Sequence, residues 1–222
     1  MPSLLNRLNS NGYVEITDTD PDVSTLEIAR KLSGAIGAVV SDAVESLVAS
    51  PAGLKPSNTY GGNYGCGELP LHTDLAHWYR PPRYVLLRCL TGTQSVATHL
   101  LNHRQLERWI PTSVMQRALF SPRRRLDGKV FLLRMLTDGL FRWDQLFLKP
   151  QNAAAHEAAA RMQEIAPELP LTNVVLSRSG QTLLIDNWQA LHGRSAVPTT
   201  ESNRKLDRIY LETSSNGNKD PT

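Results

Sequence analysis

One short stretch decides how this chain is interpreted: LPLHTD, residues 69–74. It places His72 and Asp74 two positions apart on an extended segment, and side chains two apart on a strand point to the same face. An imidazole and a carboxylate on one face can bind a single metal ion from adjacent corners. Short His-x-Asp pairs arise often by chance, so a third ligand is needed before this pair predicts a metal site.

The best candidate for the third ligand is His192, in the segment LLIDNWQALHGR, residues 183–194. A buried strand pattern leads to this histidine, and Gly193 allows another backbone to approach closely. Two imidazoles and one carboxylate leave three metal positions open, whereas zinc sites are usually closed or leave one position for water. Each histidine alone could be a hydrogen-bonded structural residue. The joint pattern favours a metal site formed by His72, Asp74 and His192.

The rest of the chain predicts strands with helices inserted between them. Asn11-Gly12 is a turn signal before a strand at 13–16, and Ser24 caps a helix. The expected fold is mainly β with α: an antiparallel barrel or jelly roll, a cupin-like double-stranded β-helix with helical decoration. A parallel α/β sheet competes, but no Gly-rich phosphate loop supports it. Other segments are assigned as loop at 51–67, helix at 102–109, 113–120 and 150–166, and extended chain at 84–90, 130–136 and 140–148.

Length and composition indicate a single domain over residues 1–222, with a flexible polar tail at 214–222. The net charge of +3 suggests neither a nucleic-acid partner nor a polybasic membrane protein. The basic run Arg123–Arg125 is interpreted as a solvated turn. Two cysteines, Cys66 and Cys89, make no disulfide framework. Without a signal peptide or a long apolar segment, the chain is expected to be cytoplasmic with a small-molecule substrate, and its oligomeric state stays open.

Several motifs together carry a resemblance to a known family. The chain resembles the taurine dioxygenase and clavaminate synthase superfamily of Fe(II)- and 2-oxoglutarate-dependent oxygenases. The likeness spans nearly the whole chain, which is shorter than most relatives between its two metal-binding segments. The motifs are NGYV (11–14), LPLHTD (69–74), Pro81-Pro82, FRWD (141–144), IDNWQALHGR (185–194), Arg204 and Arg208.

The resemblance implies that His72, Asp74 and His192 are the catalytic iron ligands, with 2-oxoglutarate and dioxygen as co-substrates. It further implies that Arg208 grips the remote carboxylate of 2-oxoglutarate, because a guanidinium binds a carboxylate through two hydrogen bonds. Arg204 would lie nearer the metal-chelating end, with an exposed arginine in a polar turn as the alternative. Thr98 would help to hold the co-substrate.

The implied activity is hydroxylation of an unactivated C–H bond in a small polar molecule, with release of succinate and carbon dioxide. The substrate would be an amino acid derivative or a natural-product intermediate. Asp74 argues against halogenation, since family halogenases have Gly or Ala there. Asn187 could orient His192 or simply pack, and a structural ion pair is the alternative for residues 142 and 144. Candidate substrate contacts are Arg194, Arg142, Asp144, Trp188, Asn63 and Tyr60.

Two other classes of function stay open at this point. The first is an enzyme of the same barrel fold that uses the three ligands, for example for zinc-dependent hydrolysis, without 2-oxoglutarate. The second is a non-catalytic binding protein. An enzyme that does not use 2-oxoglutarate would not depend on Arg208, and a non-catalytic protein would not depend on His72.

Overall fold

The computed structural model describes residues 3–41, 43–124 and 131–213. The expected flexible tail at 214–222 and Arg125 of the basic run lie outside the described residues. Helices are α1 (Leu4–Asn11), α2 (Thr25–Ile36), α3 (Tyr60–Tyr64), α4 (Thr112–Arg117) and α5 (Ala153–Ile165), with 3-10 turns at His103–Arg108, Ala166–Glu168 and Thr199–Glu201. Strands are β1 (Tyr13–Ile16), β2 (Ala38–Val40), β3 (Glu45–Val48), β4 (Leu69–His72), β5 (Tyr84–Thr91), β6 (Thr98–Asn102), β7 (Leu119–Pro122), β8 (Leu133–Arg134), β9 (Leu136–Thr137), β10 (Leu140–Phe141), β11 (Leu148–Pro150), β12 (Thr172–Val174), β13 (Thr182–Asp186), β14 (Ala190–Arg194) and β15 (Lys205–Thr213).

Two antiparallel sheets form the centre of the molecule. The larger has the strand order β1-β13-β5-β15-β2, with β3 pairing to the first half of β15. The smaller has the order β12-β6-β14-β4 and carries both metal-binding segments. A three-stranded sheet (β11-β7-β8) and the pair β10-β9 lie outside these two. The expectation of a mainly β chain with antiparallel strands and added helices is confirmed.

Side-chain alternation on β5 shows how the layers pack. Val85, Leu87 and Cys89 face the smaller sheet and join Leu100 of β6 in one buried cluster. Leu86 points to the opposite face and packs with residues from α1 and α2. Successive side chains of a strand point to opposite faces, and on β5 these side chains are apolar on both faces. This strand therefore lies between two hydrophobic layers.

A third hydrophobic cluster covers the outer face of the smaller sheet. Leu101 of β6 and Leu191 of β14 pack there with the apolar faces of α4 and α5. The cluster fixes β14, the strand that carries His192, between a helical layer and the facing sheet. The site is therefore built on a rigid part of the fold.

Sequence patterns located the turn before β1 and the start of α2 correctly. Ser24 caps α2, its hydroxyl accepting from the Glu27 amide at 3.2 Å, and the helix stops at Gly37, whose φ of 65° is left-handed. Gly12, with φ of 83°, likewise ends α1 before β1. These positions need left-handed backbone, which glycine adopts without strain.

Three local assignments were wrong. The segment 51–67 is not all loop, because Thr59 caps α3 by accepting from the Gly62 amide at 3.0 Å. The helix assigned to 113–120 ends at Arg117, whose carbonyl accepts from the Asn152 side chain at 2.8 Å, and β7 begins at Leu119. Residues 140–148 are not one strand, since Asp144 accepts from two later amides and turns the chain.

Among the described residues, no helix has the length and apolar character needed to cross a membrane.

Candidate metal centre

Three predicted ligands converge at one end of the smaller sheet. His192 on β14 lies directly opposite His72 on β4 in the antiparallel register. Nε2 of His72 is 3.4 Å and Nε2 of His192 is 3.6 Å from Oδ1 of Asp74. One ligand atom from each residue lies within 4.8 Å of the others. All three residues are buried, with exposed fractions of 3%, 1% and 6% for His72, Asp74 and His192.

The donor set fits Fe(II). Nδ1 of His72 lies 2.9 Å from the Pro70 carbonyl, so this nitrogen carries a hydrogen and Nε2 is the ring nitrogen that faces Asp74. Nδ1 of His192 is buried and has no hydrogen-bond partner among the described residues. Two imidazole nitrogens and one carboxylate oxygen are the facial set that non-haem iron adopts.

Electrostatics keep the carboxylate ionised. Burial alone would raise the pKa of Asp74, but Arg208 and the hydrogen bonds from both histidines hold that pKa well below its usual range. Burial and the neighbouring His72 lower the pKa of His192, so its imidazole stays neutral and can act as a ligand. Both states are those that metal binding requires.

Asn187 fixes the main chain of Asp74 from both sides. Its Oδ1 accepts from the Asp74 amide at 2.7 Å, and its Nδ2 donates to the Asp74 carbonyl at 2.9 Å and the Pro82 carbonyl at 3.0 Å. The side chain is fully buried. The sequence interpretation suggested that Asn187 orients His192 or packs; the structure shows that its contacts are with Asp74 instead.

Gly193 permits the close contact between β14 and β4. A Cβ at this position would lie 2.6 Å from the Leu69 carbonyl oxygen, far inside ordinary contact. The expected role of Gly193 in close backbone approach is confirmed.

A cavity of about 820 Å³ opens above the three ligands. Most of the predicted site residues line it, but Arg142, Asp144, Trp188 and Asn63 do not. The predicted residues in its lining are His72, Asp74, His192, Tyr60, Thr98, Arg194, Arg204 and Arg208.

The two arginines beyond His192 have different surroundings. Arg208 donates from Nη1 to Oδ2 of Asp74 at 2.9 Å and from Nη2 to Glu45 at 2.5 Å. Arg204 is 7% exposed, and its guanidinium makes no hydrogen bond or ion pair with any described residue. Burial, reinforced by Arg194, lowers the pKa of Arg204 to about 10. It is therefore a cation in the cavity wall whose guanidinium no described residue binds directly.

Tyr60 covers the ring of His72. Their ring centroids are 4.3 Å apart, and the Tyr60 hydroxyl donates to Asp144. Burial, followed by the charge of Asp144, raises the pKa of Tyr60 well above its ordinary value. The uncharged phenol of Tyr60 lines the cavity.

The four predicted substrate contacts that lie outside the cavity bind other parts of the protein itself. Arg142 donates to the carbonyls of residues 76, 78 and 79 at 2.9, 2.6 and 3.0 Å, which fixes the segment after Asp74. Trp188 donates from Nε1 to Pro81 at 2.9 Å, and Asn63 donates to Ser57 at 2.6 Å. Asp144 caps a turn at 146–147 and receives the Tyr60 hydroxyl. Arg142 and Asp144 do not pair with each other, so the structural ion pair considered for them is absent.

Arg142→Met is expected to lower the free energy of unfolding by about 3 kcal/mol, because three carbonyls lose a buried cationic donor. Urea unfolding measures this loss. Arg134→Met, whose exposed side chain makes one hydrogen bond to the Gln116 carbonyl, serves as control and is expected to cost less than about 1 kcal/mol. Equal stability of the two variants would contradict a structural role for Arg142.

The sequence interpretation missed two residues that contact this site. Tyr210 donates from its hydroxyl to Oδ2 of Asp74 at 3.0 Å. Strand alternation from Arg208 could have found it, since positions 208 and 210 share a face. Glu45 carries no such signal, because it reaches Arg208 only through the pairing of β3 with β15.

The sequence was compared with family models and with curated proteins. No family model matches the chain. It is 27% identical over 168 residues to clavaminate synthase 2 of Streptomyces clavuligerus, which covers 67% of this chain and 51% of the relative. The chain thus spans about half the length of that curated relative.

Solved structures of two oxygenases share the fold. One is asparagine oxygenase in complex with Fe(II), 2S,3S-3-hydroxyasparagine and succinate, with a TM-score of 0.72 and 17% identity over 94% of this chain and 78% of that one. The chain shares the fold of this oxygenase. The other is the non-haem iron oxygenase OrfP with iron and α-ketoglutaric acid, with a TM-score of 0.71 and 16% identity over 95% and 79% of the two chains. The resemblance to clavaminate synthase-like oxygenases, expected from the sequence motifs, is confirmed.

Proposed function

We propose that this protein is an Fe(II)- and 2-oxoglutarate-dependent oxygenase that hydroxylates a small polar molecule. The observation that carries the proposal is the convergence of His72, Asp74 and His192 at the floor of a cavity. We take the two facing sheets to be the double-stranded β-helix expected from the sequence. A zinc hydrolase with the same ligands would have no use for a buried, unpartnered guanidinium in the cavity wall.

Arg204, with Thr98, is the better candidate for the remote carboxylate of 2-oxoglutarate. Its guanidinium is buried and unpaired within the described chain, whereas Arg208 already serves Asp74 and Glu45. Thr98 is 4% exposed, lines the same cavity and can add a hydroxyl donor. This proposal exchanges the roles that the sequence interpretation gave to the two arginines.

When bound, iron and 2-oxoglutarate supply an oxidation that consumes dioxygen, releases succinate and carbon dioxide and hydroxylates a C–H bond. The protein's own contribution is position and environment. His72 and His192 would present ring nitrogens to the metal from adjacent strands, and Asp74 would present one anionic oxygen between them. Arg204 orients the co-substrate by charge-assisted hydrogen bonds, and the buried walls keep water from the reacting groups.

An amino acid or a derivative is the substrate class that we favour. Asparagine oxygenase, which shares the fold, was solved with a hydroxylated amino acid and succinate. The cavity has room for such a molecule beside 2-oxoglutarate. Its lining carries Lys55, Arg123 and Arg124 besides the two arginines already named, against the acids Glu45 and Asp74, which suits a ligand with a carboxylate. Arg194 also lines the cavity, but its guanidinium donates to the carbonyls of residues 65, 67 and 195.

Anaerobic addition of Fe(II) and then 2-oxoglutarate tests the proposed function. A weak visible charge-transfer band is expected with the wild-type protein, because 2-oxoglutarate would bind to the Fe(II) held by His72, Asp74 and His192. The band should be missing in His72→Ala and present in the control His99→Ala, whose ring lies outside the cavity and contacts Asn173. If His72→Ala retains the band, the proposed metal centre is wrong. Succinate release across a panel of amino acids and their derivatives then identifies the substrate.

A further inference from the structure

Both oxygens of Asp74 are already assigned to different partners. Oδ1 faces the two histidines at 3.4 and 3.6 Å. Oδ2 points away from them and accepts from Nη1 of Arg208 at 2.9 Å and from the Tyr210 hydroxyl at 3.0 Å. Since a carboxylate oxygen has two lone pairs, Oδ2 has its full complement of donors.

The two donors are themselves held in place. Nη2 of Arg208 contacts Oε2 of Glu45 at 2.5 Å, and these residues are direct neighbours across β3 and β15. The guanidinium carbon lies 5.1 Å from the centroid of the Tyr210 ring. Arg208 and Tyr210 are two apart on β15, so both side chains leave the strand on the side of the metal ligands.

We infer that Arg208 and Tyr210 are positioning residues that restrict Asp74 to binding the metal through Oδ1 alone. This inference rests on the proposed function, because it concerns the same metal centre. If Asp74 bound the metal through both oxygens, Oδ2 would lose one of its two hydrogen bonds. One of the two donors would then be buried without an acceptor. It would also fill one of the three positions that two imidazoles and one oxygen leave free.

The restriction matters because the proposed chemistry needs all three free positions. 2-Oxoglutarate would take two of them, and the third would have to stay open for dioxygen. Arg208 also places a positive charge beside the ligand, which weakens the attraction of Asp74 for a metal cation. The arrangement therefore favours an accessible metal site over the tightest metal binding.

Mn(II) is a suitable probe, because the relaxation of solvent water protons counts the waters that exchange on it. The wild-type protein is expected to hold about three such waters, and about one after addition of 2-oxoglutarate. Arg208→Gln should hold about one fewer in each state. It should also bind Mn(II) up to roughly tenfold more tightly, since a repelling charge is gone and Oδ2 is released. Tyr210→Phe should change both quantities in the same direction by a smaller factor.

Arg80→Gln is the matched control, since it removes one positive charge from an exposed arginine that contacts Thr213 and Trp188. It should behave as the wild type. A variant that had merely lost structure would bind Mn(II) more weakly, which is the opposite sign. If Arg208→Gln and Tyr210→Phe keep the wild-type water count, the inference is overturned. It is also overturned if Arg208→Gln loses 2-oxoglutarate binding at an unchanged count, since Arg208 would then hold the co-substrate.

His72→Ala separates this outcome from failure of the proposed function. If the wild-type protein binds Mn(II) no better than His72→Ala, the metal centre itself is wrong. If His72 is required for Mn(II) binding but the other variants match the wild type, only the positioning role fails.

Discussion

Arg204→Gln is expected to bind 2-oxoglutarate about 3 kcal/mol more weakly, roughly a hundredfold in the dissociation constant. The physical reason is the loss of a buried guanidinium, which makes no ion pair with the described residues and can form two charge-assisted hydrogen bonds to a carboxylate. Titration of the anaerobic Fe(II) protein with 2-oxoglutarate, followed by the charge-transfer band, measures the change. Fe(II) affinity should stay the same, since Arg204 has no contact with the three ligands.

Arg208→Gln is the comparison that decides between the two arginines. It is expected to keep most of its affinity for 2-oxoglutarate, since two metal positions remain open for the chelate. The reverse pattern, with a large loss for Arg208→Gln and little for Arg204→Gln, would restore the assignment made from the sequence. Arg204→Lys should recover only part of the affinity, because an ammonium group lacks the planar fork.

Asn187→Ala is expected to lower the free energy of unfolding by about 3–5 kcal/mol, since it leaves three buried backbone groups without partners. It should also weaken Fe(II) binding, because the Asp74 main chain loses both of its contacts with this side chain. Urea unfolding and metal titration measure the two effects.

Asn63→Ala provides the control for this variant. Its amide also donates to backbone carbonyls, but it lies at an exposed site outside the cavity. The cost should be below about 1 kcal/mol, with Fe(II) affinity unchanged. A wild-type melting profile for Asn187→Ala would show that the backbone of Asp74 does not depend on this residue.

The metal ligands could be found from the sequence because their geometry is local. His72 and Asp74 share a face by strand periodicity alone. His192 was selected from the strand pattern that leads to it, but its pairing opposite His72 is a matter of tertiary register that no single segment encodes. The same holds for Gly193, because the need for a glycine there comes from the Leu69 carbonyl of another strand.

The roles of the two arginines could not be separated from the sequence. Positions 204 and 208 both line the cavity, although Arg204 lies just before β15, which begins at Lys205. The two arginines differ in that Arg208 pairs with Glu45, and Glu45 reaches Arg208 only because β3 pairs with β15. Helix α3 was missed for a related reason: YGGNY has two glycines and little helical propensity, and the Thr59 cap offsets that weakness.

The packing at Gly193 has an evolutionary consequence. The absence of a side chain there is imposed by a neighbouring peptide group and not by any chemistry of the glycine itself. A descendant that acquired even a methyl group would have to spread the two strands, and the histidine pair would be separated with them. Substitution of this glycine is therefore not tolerated unless the adjoining strand has first shifted to make room for a side chain.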